Sequence, residues 1–146
     1  MEQKVGIKNG RLHCHSENSC KDGMPSVKDM CKMAASMGAR ALALTDHRTV
    51  CGWWSFQKAA QKEGIKPIFG VEGYVKSPKG RLHIILLAKD DIGAHAISLL
   101  VTESNKDLVV MGKNTYPQMT KEMIRSFVGP GSEGYGHIVM TSACIN

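Results

Sequence analysis

Histidine and carboxylate are the residue types in this chain best suited to chemistry, and their placement is not random. His13 and His15 lie two apart in Arg11-Leu12-His13-Cys14-His15, a short segment whose residue types suit a buried strand. On a strand that spacing turns both imidazoles to one face, a separation at which two histidines can hold one metal ion. Asp46-His47 closes the apolar run Ala41-Leu42-Ala43-Leu44-Thr45, and Glu72 falls near the end of the apolar run that begins at Pro67. Functional groups of α/β barrels and open sheets gather at the carboxyl ends of strands. Separate strands thus deliver ligand-type residues to one rim. Each signal alone has a plainer reading: an edge for His-x-His, a turn for Asp46-His47, a salt bridge for Glu72, a hydrogen-bonded core residue for His83. Their joint placement at strand ends is what argues for a metal site.

The elements that must position these groups follow from periodicity. Ser26 reads as an N-cap; Val27, Met30, Cys31, Ala34 and Met37 fall at helical spacing, and Gly38 is the stop. Ala41 to Thr45 has the continuous apolar character of a strand covered on both faces. Val50 to Glu63 is predicted as a second helix closed by Gly64, Pro67 to Glu72 begins a third strand, and Leu82 to Ala88 forms a fourth. A helix from Asp91 to Ser104 comes next, then a polar, irregular stretch over 105–118. A short helix over 120–128 and a last strand at Ile138-Val139-Met140-Thr141 complete the pattern. This alternation predicts an α/β protein with a mainly parallel sheet, and both a doubly wound sheet and a barrel are compatible with it.

One connection breaks the alternation. If the third strand runs on through Tyr74-Val75, only Ser77-Pro78-Lys79-Gly80 separates it from the fourth. A parallel crossover needs about a dozen residues or more, so the step is predicted to be an antiparallel hairpin. Position 74 then pairs with His83, which brings His83 within a residue or two of Glu72 across the ladder.

Composition narrows the class. At 146 residues the chain has one domain's worth of material, and 42% apolar with 22% charged residues argues against disorder. No apolar run approaches the ~20 residues of a membrane span, and the first residues lack the apolar core of a secretory signal. The five cysteines are odd in number and form no C-x-x-C pair, so reduced thiols in a cytoplasmic protein are expected. Cys14 points away from the His13 and His15 face and is expected to pack, as are Cys20, Cys31, Cys51, Trp53 and Trp54. The net charge of +6 suits a polyanionic partner, but Lys and Arg are scattered and charge alone does not select one.

Several segments, taken in order, resemble the PHP (polymerase and histidinol phosphatase) domain, most closely the type found in bacterial DNA polymerase III alpha subunits. They are His13-Cys14-His15-Ser16, Lys21-Asp22-Gly23, Ala41 through His47, Gly64-Ile65-Lys66-Pro67-Ile68, Gly70 through Val75, His83 through Lys89, and Thr141-Ser142-Ala143-Cys144. The resemblance implies the front part of a distorted seven-stranded βα barrel of TIM-like form, spanning 1–146, without polymerase domains. It also implies a ligand set. His13 and His15 would bind a first metal with Glu72 bridging to a second, which Glu72, His83 and Cys144 would hold. Asp22 and His47 would hold a third, and Asp46 would serve with Glu72 as an auxiliary catalytic carboxylate.

The implied chemistry is metal-dependent phosphoester hydrolysis, as a 3′–5′ exonuclease or a pyrophosphatase. Histidine, carboxylate and thiolate together suit Zn²⁺, with Mn²⁺ or Fe²⁺ as alternatives. DNA or another phosphoester would be the substrate, and the remainder of a polymerase the partner. Two family ligands, an Asp-x-His pair, have no counterpart here, which predicts weak or absent activity for the chain alone. The alternative is a structural module that binds metal without turnover and docks the rest of a polymerase, or a stand-alone PHP phosphatase relative. Locally, Arg48 stands where the family usually has glycine, and is expected to crowd or charge the cleft.

Overall fold

The computed structural model describes residues 10–19, 22–78, 80–106, 108–111 and 114–143. Along the chain run α1 (Val27–Ser36), β1 (Ala41–Leu44), α2 (Trp53–Lys62), β2 (Lys66–Ser77), β3 (Gly80–Ala88) and α3 (Asp91–Ser104). They are followed by β4 (Leu108–Met111), β5 (Asn114–Pro117), α4 (Lys121–Val128) and β6 (Ile138–Ser142). The cap at Ser26 forms as its spacing requires: its hydroxyl accepts the Asp29 N–H at 3.1 Å, and Gly38, at φ 74°, lets the chain leave the helix. Val27, Cys31 and Ala34 are buried one helical turn apart, and with Leu42, Leu44, Phe56 and Ala60 they form one apolar cluster. A second cluster joins Val71 and Leu86 to Ile97, Leu100 and Met119.

The sheet is ordered β1-β2-β3-β6. β1 lies parallel to β2 with Ala41 opposite Lys66 and Leu44 opposite Phe69, whereas β2 with β3 and β3 with β6 are antiparallel. The hairpin is therefore present in the predicted register, Tyr74 opposite His83 and Ser77 opposite Gly80. The expected mainly parallel sheet is replaced by a mixed one. Besides the tight turn, the cause is that β6 enters where β3 ends: Lys89 N–H donates to the His137 carbonyl at 2.9 Å, and Ile138 pairs with Ala88. Gly93 at the start of α3 permits this entry, because a Cβ there would collide with the His137 carbonyl.

Three further expectations are corrected. Arg11 to His15 is not a regular strand: it runs beside β1, bridged only between Arg11 and Leu42. The reason is local, since Cys14 N–H donates to the Thr45 hydroxyl at 3.0 Å rather than to a ladder carbonyl. The stretch over 105–118 is not wholly irregular, because Leu108–Met111 and Asn114–Pro117 pair as an antiparallel hairpin. The second helix begins at Trp53, not Val50, behind a turn in which Trp53 N–H reaches the Val50 carbonyl. Among the described residues no helix is long and apolar enough to cross a membrane.

Candidate metal centre

Backbone pairing sets the site before any side chain is considered. Glu72 N–H donates to the Asp46 carbonyl at 3.2 Å, and Arg48 N–H donates to the Glu72 carbonyl at 2.9 Å. Together they clamp His47 beside Glu72 in a parallel bridge. Across the hairpin, Glu72 and Tyr74 share one face with Arg81 and His83 by the period-two rule. The N-terminal segment is tied down by Thr45 N–H donating to the Cys14 carbonyl at 2.9 Å.

The side chains then converge on one carboxylate. Glu72 is buried, and its Oε2 lies 2.7 Å from His13 Nε2 and 3.1 Å from His15 Nε2, while those two nitrogens are 3.0 Å apart. Its Oε1 lies 2.7 Å from His83 Nδ1 and 3.7 Å from His47 Nδ1. His47 turns its other nitrogen to Asp22 at 2.6 Å, and its ring stacks on His15 with centroids 4.3 Å apart. Two groups that could hold a metal ion result, His13–His15–Glu72 and His15–Asp22–His47, each with its candidate ligand atoms within 4.8 Å of one another. The Ser19 hydroxyl ties the sets together: it accepts the His47 N–H at 3.0 Å and meets His15 Nδ1 at 3.1 Å.

Charge follows geometry. Burial works against the Glu72 carboxylate, but hydrogen bonds from His15 and His13 outweigh it and hold its pKa down to about 2. The hydrogen bond to Glu72 raises the His15 pKa against the opposing effect of burial. For Asp22, burial is again opposed and overcome by the His47 hydrogen bond, so its pKa falls below the usual carboxylate value. A buried carboxylate that stays ionised among imidazoles is an electrostatic cradle for a cation.

His13, His15, Asp22, His47, Glu72 and His83, all singled out from the sequence, thus share one cavity of about 340 Å³. Asp46 is buried beneath it: its carboxylate accepts the Ser16 N–H at 2.6 Å and the Ser16 hydroxyl at 2.8 Å, which fixes the turn following His15. It steadies the loop that carries His15 and does not itself hydrogen-bond to the histidines. Cys144 lies outside the described residues; the last described residue, Ala143, donates its N–H to the His83 carbonyl at 3.1 Å. Cys14 packs against the first apolar cluster as expected, Trp54 and Cys51 are exposed instead of packed, and Trp53 donates its indole N–H to the Gly70 carbonyl at 3.0 Å. Sequence reasoning missed three residues that line the cavity, Tyr74, Arg81 and Tyr116. The rule that pairs His13 with His15 also finds Tyr74 two after Glu72 and Arg81 two before His83, but nothing in the sequence flags Tyr116.

The chain is similar to known proteins over most of its length. The pattern of the PHP domain family matches residues 11–146. The DNA polymerase III subunit alpha of Campylobacter jejuni is 31% identical over 142 residues, covering 92% of this chain and 11% of that protein. The protein of the same name from Borreliella burgdorferi is 34% identical over 145 residues, covering 92% and 12%. The chain therefore spans about a tenth of the length of these relatives. An amidohydrolase from Chromobacterium violaceum superposes with a TM-score of 0.57 at 31% identity, over 67% of this chain and 34% of that one. A protein named as a metal-dependent phosphoesterase from Bifidobacterium adolescentis, 22% identical, shares the fold at the same TM-score, over 68% and 34%. On the family match and on the convergence of its histidines and carboxylates, the chain belongs to the PHP domain family.

Proposed function

We propose that the chain is a metal-dependent phosphoesterase module working within a cytoplasmic DNA polymerase III alpha subunit, as a 3′–5′ exonuclease or pyrophosphatase. The observation that carries this reading is the sharing of Glu72, one oxygen facing His13 and His15 and the other facing His83. The donors fit a cation: nitrogen and oxygen ligands at ~2.1 Å around a tetrahedral ion stand about 3.4 Å apart. The observed 2.7, 3.0 and 3.1 Å would open by about 0.3–0.7 Å to admit the ion. His13, His15 and Glu72 would hold one ion, Glu72, His83 and Cys144 a second, and Asp22 with His47 a third; Zn²⁺ suits this donor set, and Mn²⁺ or Fe²⁺ would also be accepted. A metal bound there lowers the pKa of its water and neutralises charge on phosphoryl oxygens. The chain's own part is to keep Glu72 ionised and to hold the imidazoles in place through Ser19 and the Asp46-anchored turn. The sheet is read as part of the seven-stranded PHP barrel.

A second reading has its own observation. The outer strand β6 leaves Val139 and Met140 about half exposed, at 49% and 55%, which suits docking against the remainder of a polymerase without turnover. Metal content by mass spectrometry together with turnover of a nitrophenyl phosphodiester separates the two. Bound Zn²⁺ with slow hydrolysis that is lost in E72Q supports the enzyme. Firm metal binding with no metal-dependent hydrolysis favours the docking module.

A further inference from the structure

At the mouth of the cleft, two guanidinium groups lie against two tyrosine rings. The Arg48 guanidinium is 5.0 Å from the Tyr74 ring centroid and 4.9 Å from that of Tyr116, and the Arg81 guanidinium is 4.3 and 5.2 Å from the same two rings. Ring faces offset part of the cost of placing like charges together. They do not supply an anion, and among the described residues neither arginine forms an ion pair with a carboxylate. Arg48 Nε is moreover buried without a hydrogen-bond partner. Being closed to solvent, Nε is not itself open to a ligand, and an acceptor in the cavity would meet the terminal guanidinium nitrogens. The backbone at Arg48 adds a second, independent sign, since its φ of 60° is a conformation that favours glycine and disfavours residues with a Cβ.

Resting on the phosphoesterase reading given above, we propose that Arg48 and Arg81 grip the phosphate of a nucleotide or of a nucleic-acid strand end. The pair lines the same cavity as His13, His15, Glu72 and His83, so a phosphate held by the arginines lies beside the candidate ligands. Guanidinium presents a planar fork that matches phosphate oxygens, which a lysine ammonium cannot reproduce. A cavity of about 340 Å³ is at the small end of ligand sites, which suits one nucleotide unit and excludes a duplex. Tyr116, on β5, meets both cations with its ring. Arg48 thus gives the site its preference for a charged, phosphorylated substrate over a neutral nucleoside.

The test is binding of thymidine 5′-monophosphate to the 146-residue chain by calorimetry in EDTA, with thymidine as the uncharged control. R48G relieves the backbone conformation at that position, so it is expected to melt no lower than the parent, and R81Q changes a residue near a strand end. Each is expected to weaken nucleotide binding about tenfold while Zn²⁺ uptake stays unchanged; R48K should recover only part of the loss. Tighter binding of the mononucleotide than of a ten-residue oligothymidylate marks the free nucleotide as the source, and the reverse marks a strand end. Equal affinity of parent, R48G and R81Q, or thymidine binding as tightly as its phosphate, overturns the proposal. Because the titration is free of metal, failure of Zn²⁺ uptake or hydrolysis strikes the phosphoesterase reading alone and leaves the comparison of arginine variants decisive.

Discussion

Two histidine–carboxylate contacts of the same length sit in different parts of the molecule. His83 meets Glu72 at 2.7 Å in the cleft, and His137 meets Asp90 at 2.7 Å where β6 begins. Around Glu72 the carboxylate is buried and four imidazoles face it. Around Asp90 there is one imidazole, the side chain is 46% exposed, and its other oxygen is engaged as the N-cap of α3, accepting the Gly93 N–H at 3.0 Å. Distance alone does not make a site. The number of convergent ligand atoms and their removal from water distinguish a cation cradle from a helix cap with a neighbour.

The comparison breaks most sharply under substitution of the carboxylates. E72Q keeps the shape but removes the shared anion, and is expected to weaken Zn²⁺ binding by ~100-fold or more, whereas D90N leaves metal uptake unchanged; equilibrium metal titration decides. Equal loss in both variants would erase the distinction. A smaller effect appears on acidification of the metal-free chain. Both carboxylates have folded pKa values below their unfolded ones, so each contributes stability that is fully present above the unfolded value and lost as pH falls through the folded one. For Glu72 that window runs from 4.5 down to about 2, and acid unfolding of E72Q should lose slope there, with D90N changing it far less.

Heating reverses the order of importance. D90A removes the N-cap of α3 and should lower the melting temperature by roughly 2–4 °C without touching the cleft, measured by circular dichroism. H137Q, which breaks only a surface pair, should shift it by about 1 °C or less. A melting loss in H137Q as large as that in D90A would mean that the pair, not the cap, holds that end together.

Much of the cleft was legible because its residues obey short-range rules. The two-residue spacing placed His13 near His15 although that segment is not a regular strand, and a turn too short for a crossover fixes Tyr74 opposite His83, which brings His83 to Glu72. Asp22 was legible only through the family resemblance, since its loop has no periodicity. Tyr116 was not legible at all: its strand is four residues long, and such a stretch carries too little pattern to separate from a polar loop. The direction of β6 was hidden for a different reason. It depends on Gly93 allowing the close approach of a carbonyl 44 positions later in the chain, a contact that no local window contains.

The hairpin of β2 and β3 also sets an order in time. Glu72 and His83 are 11 residues apart, and a β-hairpin closes in ~1–10 μs, whereas His13 must be brought from 59 residues away and bears the greater loop-closure entropy. On refolding, Glu72 and His83 are therefore expected to meet before the N-terminal imidazoles reach them.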